Sequence, residues 1–228
     1  MKAWKKIQYK YLFSSKPESE AVTPVVGSLL MLLILVVLAS TVAISFFSIA
    51  EKGGNLQSLV AKISLESCEG GLFNNGPLDE RASLKNNTIM LLHEGGSPLP
   101  IDAVSIKISG YGNSYHGIAD GNGTKIVGDT EVIYQNLSPT GKNSRYESKN
   151  KEVLSDNLWS VGEKLTLHGD DSAIGSIVSS VKVSVNGDSD TSDNYGFKAG
   201  SEIIIKVIDV KNRNVIAKQK TIVKHYEG

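Results

Sequence analysis

Thirty consecutive residues, Ala21 to Ala50, carry no charged side chain. A chain holding such a run must bury it in a bilayer or against other proteins. A helix rises 1.5 Å per residue, so Val25 to Ile49 spans roughly 37 Å, against a hydrocarbon core of about 30 Å. Sixteen of those residues are Val, Ile, Leu or Phe. Near the bilayer centre each favours insertion by about 0.3–0.6 kcal/mol. No polar stripe interrupts the run, so it does not read as the core helix of a soluble domain. Lys2, Lys5, Lys6, Lys10 and Lys16 precede it, accompanied by Glu18 and Glu20. By the positive-inside rule the N-terminus is cytoplasmic and the bulk of the chain lies outside. A secretory signal has an apolar region of about 7–15 residues, much shorter than this one. The run therefore reads as a plain anchor, or as a helix kept in the mature protein after a cut on its N-terminal side.

The residues at the head of the run favour the second reading. Glu20-Ala21-Val22-Thr23-Pro24-Val25-Val26-Gly27, continued by Ser28-Leu29-Leu30-Met31-Leu32, resembles the N-terminal signature of archaeal type IV pilins. In that family a short basic leader ends in a charged and then a small residue, and a membrane prepilin peptidase cuts there. The resemblance implies a leader over residues 1–21 that is removed between Ala21 and Val22. It places a filament-core helix over 22–54 and a β-rich extracellular head over 55–228. Glu20 departs from the basic residue usual at its position. Val26 stands where bacterial relatives carry a glutamate, so charge pairing of that glutamate does not transfer. The local physics agrees with a helix start. Pro24 suits a first turn, where its missing N–H has no partner to lose, and Thr23 is a candidate cap. Gly27 lowers helix propensity by about 1 kcal/mol relative to Ala, which suggests close packing or a bend.

From Ala39 onward small and hydroxylated residues become frequent. Ala39 and Ala43 are spaced i, i+4, as are Thr41 and Ser45. Small residues at that spacing let helices approach closely. Glu51, Lys52, Gly53 and Gly54 then end the helix, and Leu56 to Leu65 reads as a transition that can continue it. Beyond that the apolar period becomes two. Strands are expected at 89–93, around Val104-Ile106-Ile108, around Leu165-Leu167, over Ile177-Val181-Val183-Val185, and at 203–210 paired with 215–223. Asn75-Gly76, Asn122-Gly123 and Asn186-Gly187 read as turns. Residues 92–100, 159–165 and 205–209 resemble landmarks of the pilin head, more weakly than the N-terminal signature does. Residues 110–158 look like an insertion of long loops, with Gly110 and Gly112 as turn glycines. The expected fold class is α+β: a long N-terminal hydrophobic helix followed by an antiparallel β-sandwich-like globular domain of about seven strands.

Side chains with catalytic potential form no recognisable set. His93, His116, His168 and His225 have no ligand spacing and read as surface or strand-end residues. Walker, dinucleotide and nucleophile-elbow motifs are absent. No catalytic residue, cofactor or enzymatic activity is expected. Asp188, Asp190 and Asp193 form a weak calcium candidate lacking the full spaced ligand loop. Lys211, Arg213, Lys218, Lys220 and Lys224 make a basic ribbon, readable as edge protection or as a contact for an anionic polymer. After residue 21 the chain holds 19 basic and 22 acidic side chains, a formal −3, which disfavours nucleic acid as a partner. Asn86, Asn122 and Asn136 head N-glycosylation sequons. The single cysteine, Cys68, permits no internal disulfide and reads as a small buried residue.

The resemblance implies a structural subunit of a surface filament with a role in adhesion. Its partners would be further copies of itself in a helical filament, the prepilin peptidase, the membrane, and an assembly ATPase with its platform protein. Before assembly it would be a single-pass membrane protein. Two alternatives stand beside this: a non-polymerising anchored domain that binds glycan or ion, and a minor pilin or pseudopilin of an assembly machine.

Overall fold

A computed structural model describes residues 22–53, 59–74, 76–117, 123–175 and 177–227. The chain divides into two units, Met1–Gln57 and Ser58–Gly228. In the first, helix α1 runs Val22–Gly53, ending at the Glu51-Lys52-Gly53 breaker. Its described side chains are those of residues 25–42.

The second unit is built from strands β1 (Ala61–Gly70), β2 (Thr88–Gly96), β3 (Leu99–Pro100), β4 (Val104–His116), β5 (Thr124–Tyr134), β6 (Leu158–Trp159), β7 (Lys164–His168), β8 (Val181–Val185), β9 (Gly196–Phe197), β10 (Glu202–Asp209), β11 (Asn214–Ile222) and β12 (Lys224–His225). Two short helices, α2 (Ser144–Lys149) and α3 (Lys151–Ser155), lie between β5 and β6. One sheet has the order β12-β1-β2-β7. The other runs β11-β10-β4-β5-β8, with β9 added against β4. The pairings are antiparallel except β1 with β12, which is parallel. Alternate residues of both sheets enter one core: Ile89, Leu91, Leu165 and Leu167 from the first, Ile106, Ile108, Val132, Tyr134, Val183, Ile203 and Ile205 from the second. Each such side chain contributes roughly 1.5–3 kcal/mol on burial. The domain is thus the expected antiparallel sandwich-like head, with the parallel β12 as an addition.

Turns and edges follow from particular side chains. Asn186 and Gly187 take φ of 51° and 84°, as a tight hairpin turn demands. Between β10 and β11, Asp209 accepts from the backbone of Lys211 and Asn212 at 3.0 and 3.1 Å. Asn150 stands in for a missing strand beside β7: its Oδ1 accepts from Thr166 N at 2.7 Å and its Nδ2 donates to Thr166 O at 2.9 Å. Asp193 and Thr191 do the same for Val183 on the edge of β8. Side chains thereby block two edges that otherwise invite foreign strands.

Several expectations need correction. The region 110–158 is not a run of loops, because β4 extends to His116 and pairs along eleven residues with β5. Gly110 and Gly112 are strand glycines. A Cβ on Gly110 would lie 2.5 Å from Ile203 Cγ2, and one on Gly112 would strike the Gly196 carbonyl. Ile177 does not share the β8 face; it precedes the strand and is 65% exposed. Residues 61–65 do not continue the helix but open β1. Asn75 and Asn122 lie outside the described residues.

Candidate functional site: an uncovered apolar helix

Within α1, the eighteen residues Val25–Val42 have a mean hydropathy of 2.7, and their side chains are exposed. Leu29 to Leu38 are ten consecutive aliphatic or Met residues, so they occupy every side of the helix. Each is about half exposed or more. An aqueous surface of this kind does not persist, so the helix requires lipid or neighbouring protein around its full circumference. Its hydroxyls create no conflict with that requirement. Ser28 Oγ donates to Val25 O at 2.9 Å, Ser40 Oγ to Val36 O at 2.7 Å, and Thr41 Oγ1 to Leu38 O at 2.9 Å. Polar groups satisfied inside the helix remain compatible with an apolar surround.

Glu20 and Ala21 lie outside the described residues. The described helix opens with Val22. Thr23 and Pro24 follow Val22 within the helix. A Cβ added at Gly27 would meet nothing within 4 Å. The chain's own packing therefore does not call for glycine there, and Gly27 leaves an open notch beside the exposed Val25 and Val26. Ala39 and Thr41 are exposed on the helix surface. The side chains of Thr23, Pro24, Ala43 and Ser45 are outside the described residues.

Residues 20–55 match the family model described as the archaeal type IV pilin N-terminal domain. The chain carries a pilin N-terminal domain. The match takes in all of the described helix Val22–Gly53 and stops short of β1. A search of the curated proteins finds no match. A pilin-type N-terminal helix joined to a strand-rich head points to a subunit of a surface filament, a structural kind of protein.

Between residues 22 and 50 the pilin-type helix bears no charged or titratable side chain, so the titratable groups are found in the head. Among the described residues no three His, Cys, Asp or Glu side chains converge as a metal site. The calcium candidates go to different partners. Asp193 pairs with Lys182 at 2.8 Å, while Asp188 and Asp190 face His116 at 3.6 and 3.9 Å. Of the histidines expected at the surface or at strand ends, His93 is instead a core residue, fully buried edge-on to Trp159 with Nε2 3.2 Å from Ser97 O, whereas His168 does end a strand, β7, and is buried there. Cys68 is buried, and its thiol is pushed up to about 12 mainly by burial.

A buried polar cluster links the two sheets, and of its members only His168 stands out in the sequence. Tyr134 Oη donates to Asp171 Oδ2 at 2.8 Å and lies 2.9 Å from Tyr195 Oη; His168 N donates to the same Asp171 oxygen at 2.7 Å. Burial raises the Asp171 carboxyl to about 7 and lowers His168 to about 4. Nearby, Lys142 Nζ donates to Asn136 O, Ser138 O and Ser180 Oγ at 3.0, 2.7 and 2.9 Å, and burial lowers it to about 8. Of the sequon asparagines, Asn86 is half-buried in a 3-10 turn. Asn136 is half-buried with its Oδ1 accepting from Ser138 N at 3.1 Å and Ser138 Oγ at 2.9 Å. Asn122 lies outside the described residues. A cleft of about 710 Å³ near α2 has polar walls already paired with each other: Arg145 with Asp170 at 2.6 Å, Ser172 Oγ with Asn194 Oδ1 at 2.7 Å.

Proposed function

We propose that this chain is the structural subunit of an archaeal type IV pilus-like surface filament with a role in adhesion. The observation that carries the reading is the coincidence of the pilin N-terminal match with a helix whose described side chains, residues 25–42, are apolar over most of their length and exposed. The chain is made as a precursor with a cytoplasmic N-terminus and is anchored by α1. A prepilin peptidase cuts it between Ala21 and Val22. Copies then leave the membrane, driven by an assembly ATPase on a platform protein, and pack their helices into a filament core. Lipid and the helices of other copies are chemically interchangeable surroundings for such a surface. Transfer between them therefore exposes no polar group to an apolar medium. Asn86, Asn122 and Asn136 are the candidate glycan sites of the head.

Helix packing is tested with Ala39→Leu. Leucine is as welcome in lipid as alanine, so insertion into the membrane is expected to be unchanged. In the filament it holds neighbouring helices apart where a small side chain permits close contact. Electron microscopy of cells is expected to show filaments with the natural chain and few or none with the variant, at equal membrane levels. Filaments of normal number and length from Ala39→Leu would overturn the packing argument.

A further inference from the structure

Four lysines far apart in the sequence fall into one line across the six-stranded sheet. Lys218 of β11 is in register with Lys206 of β10, and Lys206 with Lys107 of β4. Lys107 is opposite Ile133 of β5, and Ile133 opposite Lys182 of β8. Their chain neighbours Ile205, Val207, Ile106, Ile108, Val181 and Val183 enter the core, so the lysines point away from it. Strands lie about 4.8 Å apart, which makes the row about 19 Å long. Like charges placed directly opposite weaken a sheet. Lys107 is compensated by Glu131 at 2.6 Å and Lys182 by Asp193 at 2.8 Å. Lys220, in the adjoining row, is compensated by Glu202 at 2.7 Å. Lys206 and Lys218, the directly opposed pair, have no such carboxylate among the described ion pairs. The β10–β11 hairpin does not need this juxtaposition, since the Asp209 turn and the core isoleucines already fix it.

We propose that this lysine row binds a carboxylated polysaccharide outside the cell. The inference rests on the surface-filament reading, which brings the head into contact with extracellular polymer. Three features select the occupant. The row uses lysine throughout, offering compact charges for single carboxylates in place of the planar fork that grips phosphate or sulfate bidentately. The head carries a formal −3 overall, which repels a dense polyanion such as DNA while leaving sparse carboxylates to meet the row alone. Beside the row lies an open trough of about 1020 Å³, lined by Ser109, Ser184 and the exposed ring of Tyr111 together with Asp129, Glu131 and Glu202, of which Glu131 and Glu202 are taken up by Lys107 and Lys220. Hydroxyls and an aromatic face suit sugar rings whose charged groups reach the lysines.

The test uses the detergent-solubilised full chain, so binding is read whether or not filaments form. Polygalacturonate and neutral dextran are immobilised as probes. Retention is expected on polygalacturonate, abolished by high salt, and absent on dextran. Lys206→Gln/Lys218→Gln is expected to weaken retention by about fivefold, the loss of two modest exposed charge contacts. Lys85→Gln/Lys151→Gln removes the same net charge from exposed positions elsewhere on the head and is expected to leave retention unchanged. Equal losses in both variants, or none in the first, would overturn the proposal. So would duplex DNA held as tightly as polygalacturonate. A row variant that binds normally but no longer assembles on cells would assign the face to contacts between copies and defeat the proposal. Absence of filaments in cells with retention intact would instead refute the filament reading alone.

Discussion

Replacing Asp171 with asparagine isolates one buried proton. Asp171 is fully buried, and its Oδ2 accepts from Tyr134 and from His168 N. Asparagine offers the same acceptor without the charge. The charged and titratable groups acting on the site are Tyr134, Tyr195, Asp170 and Lys142 on Asp171, and Lys149 and Arg145 on His168. The folded carboxyl, at about 7, lies above its ordinary 3.8. Between those values the folded state holds a proton that the unfolded state has lost, so stability falls as pH rises through the window. At 1.36 kcal/mol per unit, the full cost above pH 7 is about 4 kcal/mol. His168 runs the other way. Its folded value of about 4 lies below 6.5, so its contribution is lost as pH falls from 6.5 to 4. Between those limits the two slopes cancel, because folding moves one proton from histidine to aspartate without net uptake. Asp171→Asn removes one partner. It is expected to match the natural chain near pH 4 and to exceed it by about 4 kcal/mol near pH 8, where the buried carboxylate is no longer present. Denaturant unfolding of the full chain in detergent, followed by fluorescence of the buried Trp159, measures the difference at each pH. A stability difference that stays flat within about 1 kcal/mol from pH 4 to 8 would refute a protonated Asp171 in the fold.

Two further outcomes follow from the head domain. Asn150→Ala strips the side-chain strand mimic from β7 and leaves Thr166 N and O unpaired; unfolding experiments are expected to show a loss of about 2–4 kcal/mol, and a loss under about 0.5 kcal/mol would mean that water replaces the amide freely. Cys68 is expected to resist alkylation in the folded chain and to react fully after denaturation, because its thiol is both buried and held protonated; labelling at the same rate in both states, read by mass spectrometry, would contradict its place in the core.

The helix was legible because its signal is local: an uncharged run long enough to cross a membrane, headed by a recognisable motif. Strands β4, β7, β8, β10 and β11 were legible in part where apolar residues alternate without interruption. β1 was hidden because its register shifts at Lys62/Ile63 and again at Leu65/Ser67, which breaks the period of two. The far half of β4 was hidden because Gly110 and Gly112 answer to backbone and side chains of β9 and β10, far away in sequence. His93 was misread for a similar reason, since its core partner Trp159 comes from another strand. The lysine row depends on four separate strand pairings. Sequence order groups Lys218 with Lys211, Arg213, Lys220 and Lys224, whereas strand register groups it with Lys206, Lys107 and Lys182.

The most direct test of the central claim is the N-terminal sequence of the protein recovered from the cell surface. A chain beginning at Val22, with the apolar helix retained, is the result the filament account predicts. An intact Met1 would indicate an anchored domain that is never processed. A start beyond Ile49 would mean that the apolar run is discarded, and the account of helix packing would be wrong.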